Sequence, residues 1–340
     1  MKKSTLFSAA AAAVFAFGST VATAATLDEV KANGELRCIV STGLPGFAYT
    51  DANGVYQGFD ADFCRATAAA VLGDASKVKF VPATGKTRFT LLNSKEGDVI
   101  WRNTTWTFVR DVDVKTTFVG VNYYDGQGFM VPKALGVKSA KELNGATVCI
   151  QTGTTTELNL ADFFRKNKIS YEPVPIEDSE EARKNYLAGR CDAYTTDASG
   201  LAASRAVFDN PKDHIILPEI ISKEPLGHVV RHGDDQWSDI IRWTYNAIVA
   251  AEELGITQAN VMELAKGTNN PEINRMLGAE GDLGAMLGLN KDWVVKIISS
   301  VGNYSEIFDR HIGPDTEIGL SRGLNALWTD GGLQYTPPFR

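Results

Sequence analysis

Apolar and polar positions along this chain switch between two rhythms, and the switching predicts an α/β protein. Runs such as Leu36-Arg37-Cys38-Ile39-Val40 are apolar almost throughout, as strands buried on both faces of a sheet require. Over 59–72 the period changes. Phe59, Phe63, Ala66 and Ala70 recur at helical spacing, and Gly73 stops the run. A strand over 78–81, a helix over 86–93 and a strand over 98–100 follow. Short strands joined by helices predict a parallel, doubly wound sheet.

The pattern then starts again. Extended segments at 118–121 and 128–131 lead to a strand at 147–150, a helix over 155–167 and a strand at 171–174. A helix over 179–188, a strand at 192–196 and a helix over 198–207 complete the second unit. A strand at 215–217 and an extended stretch at 226–231 bring the chain back. Two such units joined by two extended crossovers, expected to hinge at 119–124 and 219–224, predict two lobes with a cleft between them. Open α/β sheets bind ligands beyond the carboxyl ends of their strands. The region 237–308 reads as mostly helical, over 237–253, 258–266, 271–277 and 291–300. Trp237, Trp243, Trp293 and Trp328 are expected to pack this layer on the first lobe.

The N-terminus adds a compartment. Lys2 and Lys3 precede an alanine-rich apolar run, and Ala22-Thr23-Ala24 supplies small residues at a cleavage spacing. Residues 1–24 therefore read as a secretion signal cut before Ala25. At roughly 13 residues the apolar run is too short to span a bilayer. Export makes disulfides durable, and Cys38, Cys64, Cys149 and Cys191 form an even set with three possible pairings. Cys38 lies in a strand and Cys64 in the helix that follows it, while Cys149 and Cys191 lie in two later strands. The pairs 38–64 and 149–191, one in each lobe, are expected, with four buried thiols as the alternative. No Cys-x-x-Cys occurs and the histidines (214, 228, 232 and 311) are scattered, so no metal is expected. The 340 residues are 44% hydrophobic with a formal charge of −7. That suffices for two cores, and an acidic chain without a basic run argues against nucleic acid or an anionic membrane as partner.

Candidate chemistry gathers at strand ends. Arg102-Asn103-Thr104-Thr105-Trp106-Thr107-Phe108-Val109-Arg110 follows a short buried strand with hydroxyls, an amide and two arginines but no carboxylate. Such donors suit an anion, and a guanidinium grips a carboxylate through two parallel hydrogen bonds. Gln151-Thr152-Gly153-Thr154-Thr155-Thr156-Glu157 joins a strand to a helix, with Thr154 and Glu157 spaced for a capping box. A helix N-terminus offers free N–H groups and partial positive charge to an anion. Asp197 closes a strand, as a carboxylate facing the cleft or as the cap of the next helix. Anion donors on both lobes with one carboxylate complement an α-amino acid zwitterion.

With these motifs, and with Gly43-Leu44-Pro45-Gly46-Phe47, Gly58-Phe59-Asp60-Ala61-Asp62-Phe63-Cys64 and the segment 217–226, the chain resembles the periplasmic substrate-binding proteins of polar amino-acid ABC transporters (family 3 solute-binding proteins). More narrowly it is similar to the general L-amino-acid and glutamate/glutamine/aspartate/asparagine subgroup, over nearly the whole mature chain. The resemblance implies a two-lobed periplasmic binding protein type 2 fold with two hinge crossovers, to which the helical region adds a C-terminal extension. Residues 25–120 with 222–340 would form the first lobe and 121–221 the second. It further implies that Arg110 clamps the ligand's α-carboxylate and that Asn103 and Thr105 sit where the family holds the carboxylate and ammonium. Thr155 would be the second-lobe donor and Asp197 the acid for the ammonium. Many family members carry Ser, Gly or Ala where Asn103 stands. Phe47, Tyr49, Arg88, Trp101 and Arg102 are candidates for side-chain recognition by their position beside the cleft.

The partners so implied are an L-amino acid and membrane-embedded ABC permease subunits, for a monomeric periplasmic protein with no cofactor. The competing reading is an enzyme on the same scaffold, such as a cyclohexadienyl dehydratase-like lyase or a lytic transglycosylase. No general acid or base motif, Ser-His-Asp set or metal set supports it. A receptor's sensor domain would need a membrane segment that the sequence does not offer.

Overall fold

The computed structural model describes residues 25–340. The leader expected at 1–24 lies outside the described residues. Leu36–Ser41 pairs in parallel with Val78–Ala83 on one side and Val99–Ile100 on the other. Glu224–Arg231 then pairs antiparallel with both Val99–Ile100 and Thr116–Asp125, making a five-stranded sheet. The second sheet runs in the order His214–Ile216, Gln127–Pro132, Ala193–Asp197, Ala146–Gln151 and Tyr171–Ile176. Its last three strands are parallel, and Gln127–Pro132 opposes both of its neighbours.

Both sheets are therefore mixed, where strand–helix alternation predicts parallel ones. The cause is the connection between lobes. Parallel strands end at the cleft, so a strand that enters a lobe from the cleft must run against them. Gln127–Pro132 and Glu224–Arg231 are these entering strands. The first passage between sheets falls at Gly126, because Thr116–Asp125 is a single ten-residue strand that keeps 119–124 inside the first sheet. The second passage spans 217–223, between His214–Ile216 and Glu224–Arg231.

Helix Phe59–Leu72 is buried over most of its length, and the Cys38–Cys64 disulfide fastens it to Leu36–Ser41 with a Cα separation of 5.9 Å. Cys149–Cys191 joins two second-lobe segments 5.5 Å apart. Both pairings match the expectation. The helical region shares one core with the first sheet, including Trp237, Trp293, Tyr304 and Phe308. Trp237 also donates from its indole to the Asp98 carbonyl at 2.9 Å. Trp243 is half-buried against Phe339, but Trp328 is half exposed in a terminal turn and packs no layer. Two further helices, Leu283–Leu287 and Tyr304–His311, are not apparent from the period. The second is short and starts from a capping box of Asn303 and Glu306.

Candidate functional site

The cleft is built where the expected strand ends meet. Val99–Ile100 delivers Arg102, Asn103 and Thr105. The short helix Phe108–Val112 delivers Arg110, and helix Arg88–Asn93 delivers Arg88. Ala146–Gln151 leads into helix Thr155–Asn167 on the other side, and Ala193–Asp197 ends on Asp197. Arg88, Arg102, Asn103, Thr105, Gln151, Thr154, Thr155, Thr156, Thr196 and Asp197 line one narrow space between the lobes.

Three guanidiniums are buried here. Arg88 donates to the Asn103 carbonyl (2.9 Å), to Thr104 Oγ1 (3.0 Å) and to the Gly85 carbonyl (3.2 Å). Arg102 donates to the Ala83 carbonyl (2.7 Å) and to Asn103 Oδ1. Arg110 donates to the Thr105 carbonyl (2.9 Å) and lies over the Phe89 ring. None of the three forms an ion pair among the described residues. Burial lowers the pKa of each. For Arg88 the like charges of Arg102 and Arg110 add to that effect, and Arg102 is pushed down to about 10. Buried positive charge held only by neutral oxygens is a receptor for an anion.

The opposite charge stands across the cleft. Asp197 precedes helix Ala198–Ala206 but does not cap it. Its carboxylate instead accepts from Asn103 Nδ2 at 3.2 Å, across the two lobes. Burial, then the charges of Asp125 and Glu224, hold the Asp197 carboxyl well above the usual carboxylate range, against the pull of Asn103 and Arg88. Helix Thr155–Asn167 also lacks the capping box its sequence suggests. The Thr154 hydroxyl donates back to the Gln151 carbonyl (2.6 Å), while Glu157 accepts from the Gly153 amide (2.8 Å). With no side-chain cap, the first N–H groups of this helix stay open to an anion.

The structure thus brings together Arg88, Arg102, Asn103, Thr105, Thr155 and Asp197 on the wall of one cavity, with Arg110 bonded directly behind Thr105. Phe47 and Trp101 are placed elsewhere. Phe47 is packed edge-on to Phe59 and Tyr123 in the first-lobe core. Trp101 is stacked between Phe63 and His228 with its indole donating to Thr67, so it fills the core rather than narrowing the pocket. Tyr49 lies in the small Tyr49–Thr50 and Tyr56–Gln57 hairpin.

Two carboxylates of the cleft stand outside the motifs that the sequence singles out. Asp125, pushed up to about 6 mainly by burial, accepts from Ser199 Oγ at 2.5 Å. Glu224 accepts from Thr105 Oγ1 (2.5 Å), Thr155 Oγ1 (2.9 Å), Asn159 Nδ2 (2.6 Å) and Ser222 Oγ (2.6 Å). The signal for them is position. Both stand at the ends of the two passages between sheets, Asp125 before Gly126 and Glu224 before Pro225.

Comparison with known proteins gives the family. The model of the bacterial extracellular solute-binding proteins, family 3, matches residues 36–260. A glutamate/glutamine/aspartate/asparagine-binding protein of Rhodobacter capsulatus is 62% identical over the full length of both chains. A general L-amino acid-binding periplasmic protein of Rhizobium johnstonii is 57% identical, also over both full lengths. An ABC transporter periplasmic binding protein from Brucella ovis, solved with glutathione bound, is 57% identical with a TM-score of 0.91, covering 94% of this chain and 100% of its own. With the family model matching most of the chain and two relatives above half identity over its full length, the chain belongs to the family 3 bacterial extracellular solute-binding proteins.

Proposed function

We propose that this protein captures an L-amino acid in the periplasm and delivers it to membrane-embedded ABC permease subunits. One observation carries the reading. Buried guanidiniums and a buried carboxylate meet at one cavity without forming ion pairs among the described residues, and an α-amino acid zwitterion carries a partner for each sign of charge. Arg110, Thr105 and Thr155, with the open N-terminus of helix Thr155–Asn167, take the α-carboxylate, and Asp197 takes the ammonium. Arg88 and Arg102 remain for the side chain, which favours acidic and amide amino acids, as the name of the Rhodobacter relative suggests, while that of the Rhizobium relative fits a broader range.

Closure follows from the sharing of one ligand by two lobes. Ligand interactions that form only when the lobes meet shift the open–closed equilibrium by their differential affinity. The moving bodies are residues 25–125 with 224–340 and the second lobe from 127 to 216, bending at Gly126 and over 217–223 rather than at the expected 120/121 and 221/222 boundaries. The protein acts as a monomeric receptor, and its family places it among binding proteins rather than enzymes.

Arg110→Ala and Asp197→Ala are each expected to cost roughly 2–5 kcal/mol of binding, because truncating one partner strands the other charge in a desolvated site. Calorimetry giving near-native affinity for both variants would refute the assignment. A second reading concerns ligand size. Glutathione, bound in the Brucella ovis neighbour, keeps a free α-carboxylate and α-ammonium on its γ-glutamyl residue and presents the same head group. A thermal-shift panel of the twenty amino acids plus glutathione separates the two, the larger shift naming the ligand class.

A further inference from the structure

Glu224 has no counterpart among the expected binding residues, yet it is 2% exposed and bonds two hydroxyls of the cavity wall from behind. It opens strand Glu224–Arg231 just after the second passage between lobes. One carboxylate oxygen, Oε2, accepts from Thr105 Oγ1 of the first lobe (2.5 Å) and from Thr155 Oγ1 of the second (2.9 Å). The other, Oε1, accepts from Asn159 Nδ2 (2.6 Å) and Ser222 Oγ (2.6 Å). All four donors are neutral, and no ion pair engages Glu224 among the described residues.

Thr105 and Thr155 are the same two hydroxyls that the functional reading gives to the ligand's α-carboxylate. A hydroxyl carries one proton and donates one hydrogen bond at a time. Two carboxylates cannot both be served by these protons, and the two like charges also repel in a desolvated cleft. Four hydrogen bonds seat the resident carboxylate on the hydroxyls that a ligand's carboxylate needs.

We propose that Glu224 is a built-in competitor for the ligand's α-carboxylate, occupying the Thr105 and Thr155 hydroxyls and thereby setting how tightly the cleft holds an amino acid. The inference rests on the amino-acid reading above. Asn159 is a positioning residue in this scheme, because its amide helps fix Glu224 while it lies outside the cavity wall. A competitor fixed to the protein weakens every ligand that has an α-carboxylate. A ligand whose carboxylate has been replaced by a neutral amide is nearly untouched, because it is not repelled and can donate its N–H to Glu224 instead of contesting the hydroxyl protons.

The test uses the full mature chain, calorimetry, and two probes: L-glutamine and its α-carboxamide, glutaminamide. Glu224→Gln is expected to tighten L-glutamine about tenfold, chiefly through slower dissociation, and to change glutaminamide by no more than about twofold. Asn159→Ala should tighten L-glutamine in the same direction by about two- to threefold, and it serves if Glu224→Gln does not fold. In a Thr105→Val/Thr155→Val background, Glu224→Gln should lose its selective effect on L-glutamine, since the contested protons are gone. Weaker or unchanged L-glutamine binding in the folded single variants overturns the proposal, making Glu224 a brace that the closed cleft requires. Failure of the wild-type protein to bind any amino acid would instead remove the functional reading beneath it.

Discussion

Burial and the neighbouring carboxylates Asp125 and Glu224 all favour the protonated form of Asp197. A ligand ammonium pairs with the ionised form only. With the pKa raised, the proton returns as pH falls, so affinity is lost on the acid side and kept on the alkaline side. Below that pKa the Kd of an L-amino acid is expected to rise roughly tenfold per pH unit, whereas Asp197→Asn should bind weakly with a flat profile. Calorimetry across the neutral-to-acid range checks this, and a flat wild-type profile would rule it out. At this scale the sequence singles out Thr105, Thr155 and Asp197 near strand ends, and the structure brings them to one cavity wall with Arg110 bonded to the Thr105 carbonyl. Arg88 is legible only as a candidate, since a lone arginine on a short helix is ordinarily solvated, and here the Asn103 carbonyl and Thr104 hydroxyl hold it inside. Phe47 misleads because a Gly- and Pro-rich loop carries no period, so nothing in it distinguishes a core aromatic from a pocket aromatic.

Between elements, two glycines pack tightly across the cleft. A Cβ on Gly85 would lie 2.8 Å from Thr154 Cγ2 and 3.0 Å from the Thr152 carbonyl across the cleft, and one on Gly153, whose φ is +72°, would lie 2.8 Å from Lys86 Cα. Gly85→Val should therefore leave each lobe folded but hold them apart. An affinity loss of about tenfold or more with an unchanged melting temperature is expected. Equal affinity would show that closure tolerates the bulk. On the opposite side of the first lobe, Asp62 of helix Phe59–Leu72 accepts from His311 Nε2 and Arg310 of helix Tyr304–His311, both at 2.7 Å. Burial raises the Asp62 pKa, but His311 and Arg310 together outweigh it and the net shift is downward. A carboxyl lowered in the folded state stabilises fully above its unfolded value near 4, and that stabilisation is lost as pH falls through the lower folded value. Asp62→Asn should cost about 1–3 kcal/mol at neutral pH, with the gap to wild type closing below about pH 4 in denaturant titrations. The strands and longer helices can be read from period alone. Helix Tyr304–His311 cannot, because eight residues span barely two turns and its start is fixed by a cap.

Across the whole molecule, two sheets, two passages and a helical extension are legible in the sequence, whereas the direction of the entering strands is not. Period reports burial, and an antiparallel strand in a buried sheet has the same apolar run as a parallel one. The extension is bound tightly to the first lobe. Phe339 packs against Trp243 and Trp293, and the Tyr245 hydroxyl donates to Gln334. Removing 314–340 should lower the melting of the first lobe by roughly 5 °C or more while the second-lobe transition stays in place, which calorimetry would show as one transition parting into two. A single transition moving as one would mean the lobes melt together. The sheet order also fixes a sequence in time. Glu224–Arg231 lies between Val99–Ile100 and Thr116–Asp125, so the first sheet has a gap in its middle until residue 231 has arrived. The second sheet is drawn from the unbroken stretch 127–216 and needs nothing beyond it. Domains fold as their chain becomes available, and long-range pairings are the slow ones. A chain emerging from its N-terminus therefore finishes its lobes in reverse: the lobe begun first must wait, open along its centre, for the one begun second.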